Sequence, residues 1–128
     1  MTDTASRPDT RLRLRILFGT SAMLGPGKAD LLEHISETGS IAAAGRAMSM
    51  SYKRAWSLVE EMNAAFRAPL VERSRGGRKG GGAYLSETGE QVLALYRAAE
   101  AAAASAGAEH IDGLRALLSD AANVPEGH

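Results

Sequence analysis

Residues 39–66, "GSIAAAGRAMSMSYKRAWSLVEEMNAAF", constrain the fold more than any other stretch. Ser40 is a good N-cap for a short helix over Ile41 to Ala47, because its hydroxyl can accept from an orphaned backbone N–H of the first turn. The small side chains of that helix allow a second helix to come close. "MSMS" interrupts the pattern, and Ser49 or Ser51 can cap a second helix running to about Phe66. In it Ala55, Val59, Met62 and Phe66 fall at i, i+4, i+7 and i+11, one apolar stripe. Two helices joined by so short a turn, the second amphipathic, form a helix-turn-helix.

The stripe turns Tyr52, Lys53, Trp56 and Ser57 away from the core near the start of the second helix, the end that enters the DNA major groove in such motifs. Lys53 and Arg54 read either as solvated helix charges or as DNA contacts, and their position favours contact; Arg54 points partly sideways. Tyr52 and Trp56 read either as core or as groove residues, and an aromatic there can meet a thymine methyl or a sugar. Ser51 has two compatible uses, since its hydroxyl can cap while neighbouring N–H groups receive a phosphate.

The flanking segments complete one architecture. "RLRLRILF", 11–18, alternates Leu12, Leu14 and Ile16 with Arg11, Arg13 and Arg15, the pattern of a half-buried strand. After "GPGK", Leu31, Leu32 and Ile35 mark a first helix from Lys28 to Thr38, stopped at Gly39. Leu70 and Val71 in "PLVERS" and the run "AYL" at 83–85 have strand character. Between them the glycines and the cations Arg73, Arg75, Arg78 and Lys79 read either as a flexible connector or as the mobile tip of a hairpin, and the cations favour the second: a wing whose backbone is expected to approach phosphate. "SETGEQVLALYRAAEAAAASAG" then starts a long helix at an N-cap Ser86, with Glu87 and Glu90 favouring the dipole of its first turn. Val92, Tyr96, Ala99 and Ala103 lie on one side of it. The expected fold is mainly α with a small β-wing: a winged helix-turn-helix over 11–85, a long helical region over 86–118, and disordered tails at 1–10 and 119–128.

Charge is segregated along the chain. The net charge is zero, yet residues 39–82 hold eight Lys/Arg against three Asp/Glu, and residues 83–128 hold two against seven. The basic segment calls for a polyanion partner. The absence of cysteine excludes disulfides and thiolate chemistry. No signal-peptide pattern or membrane-length apolar run is present, so a cytoplasmic protein is expected.

Enzyme readings fail on their fixed positions. "AMLGPGKA", 22–29, would be a P-loop only if Ala22 were glycine and Ala29 serine or threonine. His34, His110 and His128 have no metal-ligand spacing, and no nucleophile, base and orienting group can be assembled, so no catalytic residue, metal or cofactor is expected.

The SYK-x-AW start of the second helix, the EMN near its end, LVER entering the wing, the GG-x-x-GGG tip and the start of the long helix together resemble the N-terminal winged helix-turn-helix domain of the ModE family of molybdate-responsive regulators. The resemblance covers about residues 12–105. It implies a homodimer held by the long helix, with Val92, Tyr96, Ala99 and Ala103 as the interface, presenting two recognition helices to an inverted-repeat operator of molybdenum-linked genes. The expected partner is double-stranded DNA and not a membrane. Residues 107–128, with Ile111, Leu114, Leu117 and Leu118, suffice for one more helix and not for an oxyanion-binding barrel, so DNA binding is expected without the molybdate-binding domains, and control by another effector is an alternative. A further alternative is an interaction module that heterodimerises with a full-length regulator. Neutral residues at 52, 53, 75 and 78 would favour it; the chain has Tyr52, Lys53, Arg75 and Arg78.

Overall fold

The computed structural model describes residues 10–74 and 82–119. Residues 14–97 form one compact unit; the other described residues belong to a second.

The first unit opens with a small hairpin. β1 (Ile16–Phe18) pairs antiparallel with β2 (Ala22–Leu24), Ile16 opposite Leu24 and Phe18 opposite Ala22. The strand expected over 11–18 therefore shrinks to its last three residues. β2 ends at Leu24, before the Gly25 cap of the next helix, and offers residues 11–15 nothing to pair with; alternation alone does not sustain an unpaired strand. Leu12, expected on the inner face, is exposed.

Three helices follow. α1 (Pro26–Thr38) has a proline in its first turn, where the missing N–H is no loss, and ends on Gly39 in the left-handed region, whose N–H donates to the Ile35 carbonyl at 2.8 Å. α2 (Ile41–Ala47) is capped by Ser40, whose Oγ accepts from the Ala43 N–H at 3.0 Å. α3 (Tyr52–Ala65) is capped by Ser51, whose Oγ accepts from the Arg54 N–H at 3.0 Å. Of the two serines open in the sequence, Ser51 caps and Ser49 lies in the turn with φ +58°. Ala55, Val59 and Met62 are buried as the stripe requires, joined by Leu58, while Phe66 is half-buried. They pack with Leu31, Leu32 and Ile35 of α1 and Ile41 and Ala44 of α2.

The wing is tied to this core at both strands. β3 (Val71–Ser74) pairs antiparallel with β4 (Gly82–Leu85), Val71 opposite Leu85 and Arg73 opposite Ala83. Val71, Ala83 and Leu85 are buried. Asn63 of α3 anchors the entry: its Oδ1 accepts from the Leu70 and Val71 N–H groups at 2.8 and 3.1 Å, and its Nδ2 donates to the Val71 carbonyl at 3.2 Å. On the return strand the Ala83 N–H donates to the Gly39 carbonyl at 2.9 Å.

α4 (Glu87–Ala106) starts at Ser86, whose Oγ accepts from the Gly89 N–H at 3.0 Å and donates to the Pro69 carbonyl at 2.6 Å. Here the backbones come so close that a Cβ at Gly89 would lie 2.1 Å from the Leu70 carbonyl oxygen. Further along, Arg97 bridges Asp30 and Glu33 of α1 at 2.8 and 2.6 Å. These ties carry the compact unit beyond residue 85, through the first half of α4.

The second unit contains the rest of α4 and α5 (Ala108–Ala116), which begins after Gly107. The helical region expected over 86–118 is thus two helices. Within this unit the Arg115 guanidinium donates to the Thr10 hydroxyl. Leu114, Leu117 and Leu118 are exposed.

Candidate nucleic-acid interface

The first turn of α3 is an electropositive end with nothing acidic on it. One N–H is capped by Ser51, no carboxylate lies in the turn, and the helix dipole adds partial positive charge. Tyr52, Lys53 and Arg54 are all exposed. Among the described residues neither cation is in an ion pair. Arg46, on the last turn of α2, is likewise exposed and basic.

Trp56 and Ser57 are placed differently from the expectation, both half-buried. Trp56 packs against the edge of the core, and the Arg73 guanidinium stands over its ring, 5.0 Å from the centroid. Helical spacing put Tyr52 and Trp56 on one face correctly. It could not show that the wing folds against that face one turn in, covering Trp56 and leaving Tyr52 open.

A cleft runs beside this contact, lined by Ser40, Ile41 and Ala42 of the α2 start, Tyr52 of α3, and Arg73, Gly82 and Ala83 of the wing. The starts of both helices and the outer part of the wing strands therefore share one surface. Ser40, Ile41 and Ala42 carry no charge or aromatic ring, so nothing in the sequence marks them for this surface. Arg75, Arg78 and Lys79 lie outside the described residues.

On the outer face of the wing the Tyr84 hydroxyl donates to Glu72 Oε1 at 2.9 Å. That hydrogen bond, with the carboxylate charge, raises the Tyr84 pKa above its ordinary value.

The four residues expected at the dimer face divide. Tyr96 is a core residue, 2 % exposed, its hydroxyl donating to the Leu14 carbonyl, and Val92 is half-buried against the same core. Ala99 and Ala103, in the second half of α4, are half-buried. The apolar side of α4 was legible, but its first half serves its own domain.

Lys28, the lysine of the P-loop-like segment, is engaged structurally, pairing with Glu61 at 3.1 Å and donating to the Met23 carbonyl at 3.2 Å. No metal-holding group of three or more His, Asp or Glu occurs among the described residues. Nor is any described helix long and apolar enough to cross a membrane.

Residues 28–90, from α1 into α4, match the family described as bacterial regulatory helix-turn-helix protein, lysR family. They form a LysR-type helix-turn-helix domain. This LysR-type domain is homologous to the N-terminal region of ModE and Mop proteins. The chain is 45 % identical over 89 residues to the molybdenum-pterin-binding protein MopB of Rhodobacter capsulatus, a stretch covering 70 % of this chain and 33 % of that protein. It is 41 % identical over 97 residues to the molybdenum transport protein ModE of Azotobacter vinelandii, covering 76 % and 35 %. Against the DNA-binding transcriptional dual regulator ModE of Escherichia coli it is 42 % identical over 71 residues, covering 56 % and 27 %. The match thus spans about a third of the length of these relatives. A solved structure, that of the CbnR_DBD–DNA complex, superposes with a TM-score of 0.55 at 20 % identity, covering 69 % of this chain and 95 % of that one, which establishes the same winged fold.

Proposed function

We propose that this chain binds double-stranded DNA sequence-specifically and regulates transcription. The observation that carries the reading is the joint surface of α3 and the wing, where Tyr52, Lys53 and Arg54 stand exposed on a capped helix start and Arg73 lines the adjoining cleft. The LysR-type domain and the DNA complex of its structural neighbour support it. In this account α3 enters the major groove, Tyr52 and Lys53 read base edges, and Ser51, Arg54 and Ser57 lie beside the backbone or the groove wall. The wing cations Arg73, Arg75, Arg78 and Lys79 hold adjacent phosphates.

The protein acts as a homodimer on an inverted repeat controlling molybdenum-linked genes, a target supported by the names of its relatives. With Tyr96 committed to the core of its own unit, the proposed seam draws on Leu95 of α4 in its place, which is 67 % exposed.

Base reading is tested by titrating Tyr52→Ala and Lys53→Ala against a ModE-type inverted repeat and a scrambled duplex. Each variant is expected to lose about 1–3 kcal/mol on the repeat and less on the scrambled sequence. Equal losses on both duplexes would contradict the assignment of these two side chains to bases.

A further inference from the structure

We propose that Trp56 is a positioning residue: its indole face holds the Arg73 guanidinium at the cleft between α2, α3 and the wing, where Arg73 takes a backbone phosphate of the DNA. This rests on the DNA-binding reading and assigns Trp56 a different task from a base reader.

The pleat of the wing puts the arginine there. Residues 71 and 73 share one face of β3 and oppose residues 85 and 83 of β4, and Val71, Leu85 and Ala83 are all buried. Arg73 is thus the outermost position of an inward-facing row, at the point where the core gives out. It is exposed, yet its guanidinium stands 5.0 Å from the centroid of the half-buried Trp56 ring, inside the ~6 Å reach of a cation–π contact.

A ring contact does not use up the five N–H donors of a guanidinium, and those donors match a phosphate. Among the described residues nothing nearby neutralises it. Glu72 points to the opposite face of the hairpin, where it accepts from Tyr84, and among the described residues Arg73 has no carboxylate partner. A long side chain held against a ring has less rotamer freedom to lose when it meets its ligand. Arg73 also lines the same cleft as Tyr52 and Ser40, so its phosphate would be the one flanking the bases that α3 addresses.

The test compares Arg73→Ala, Trp56→Leu, Trp56→Phe and the Arg73→Ala/Trp56→Leu double variant on the repeat and scrambled duplexes across a salt series. Arg73→Ala is expected to weaken both duplexes alike and to lower the slope of log K against log salt by about 1 for each bound copy. Trp56→Leu, which keeps apolar bulk but no ring face, should weaken both duplexes by the same ~2–5-fold. Trp56→Phe should retain most of the binding, and the double variant should bind no worse than Arg73→Ala. In free protein, Arg73→Ala should change the emission of Trp56, the one tryptophan of the chain, a reading of the stack that leaves the core untouched. A loss confined to the repeat in Trp56→Leu, losses that multiply in the double variant, or unchanged emission in Arg73→Ala would each overturn the proposal. Wild-type protein that binds neither duplex would overturn the DNA reading and the phosphate contact with it, and the emission result separates that failure from a failure of the stack.

Discussion

Ser49 sits between α2 and α3 at φ +58°, where a side chain with a Cβ costs roughly 1–2 kcal/mol that glycine does not incur. The strain is tolerated because the turn is fixed from both sides, the Met50 N–H donating to the Gly45 carbonyl at 2.9 Å and Ser51 capping the next helix. Ser49→Gly is therefore expected to raise stability by about 0.5–1 kcal/mol in urea unfolding, the relief of strain exceeding the added entropy of the unfolded chain. A lower stability would mean that the serine hydroxyl has a use in the turn. Single residues were legible where their chemistry is local. Ser40 and Ser86 declared themselves as caps because a cap needs only its own first turn, whereas Ser51 was one of two candidates. Trp56 and Tyr96 were not legible, since periodicity shows that a face is apolar and says nothing of what covers it: a wing arginine in one case, the protein's own core in the other.

Among the elements, the wing depends most on a single side chain. Asn63 satisfies two N–H groups and one carbonyl where α3 hands over to β3, and it does so from a helix already locked into the core by Met62 and Val59. Asn63→Ala would leave those groups without their partner, a loss of about 1–3 kcal/mol. Faster amide exchange at Leu70 and Val71, with α1 and α2 amides less affected, would locate the damage in the wing; unchanged exchange at those two amides would contradict the anchoring role. The helices α1, α2 and α3 could be read because each carries a cap or a stop, and α1 and α3 a 3.6-residue stripe as well. β2 could not: three residues before a glycine have no period to detect, and without β2 the true extent of β1 was also hidden.

At the scale of the whole molecule, two features of the sequence meet in one surface. The basic segment 39–82 contains α2, α3 and the first strand of the wing, whereas the acidic remainder includes α4 and α5, so the neutral total conceals a polarised chain. The proposed homodimer makes its own prediction: if Leu95 lies in its seam, Leu95→Glu should convert a dimer to a monomer in sedimentation and weaken binding to the repeat, because an apolar seam cannot close over a carboxylate. A dimer unaffected by Leu95→Glu would move the seam elsewhere. Whether α3 and the wing read DNA is decided by fluorescence anisotropy of a ModE-type inverted repeat against a scrambled duplex over a salt series. If the dimer neutralises ~8 phosphates, log K should fall with log salt at a slope near −7, with tighter binding to the repeat throughout. A slope near zero, or equal affinity for both duplexes at every salt, would contradict the DNA-binding reading.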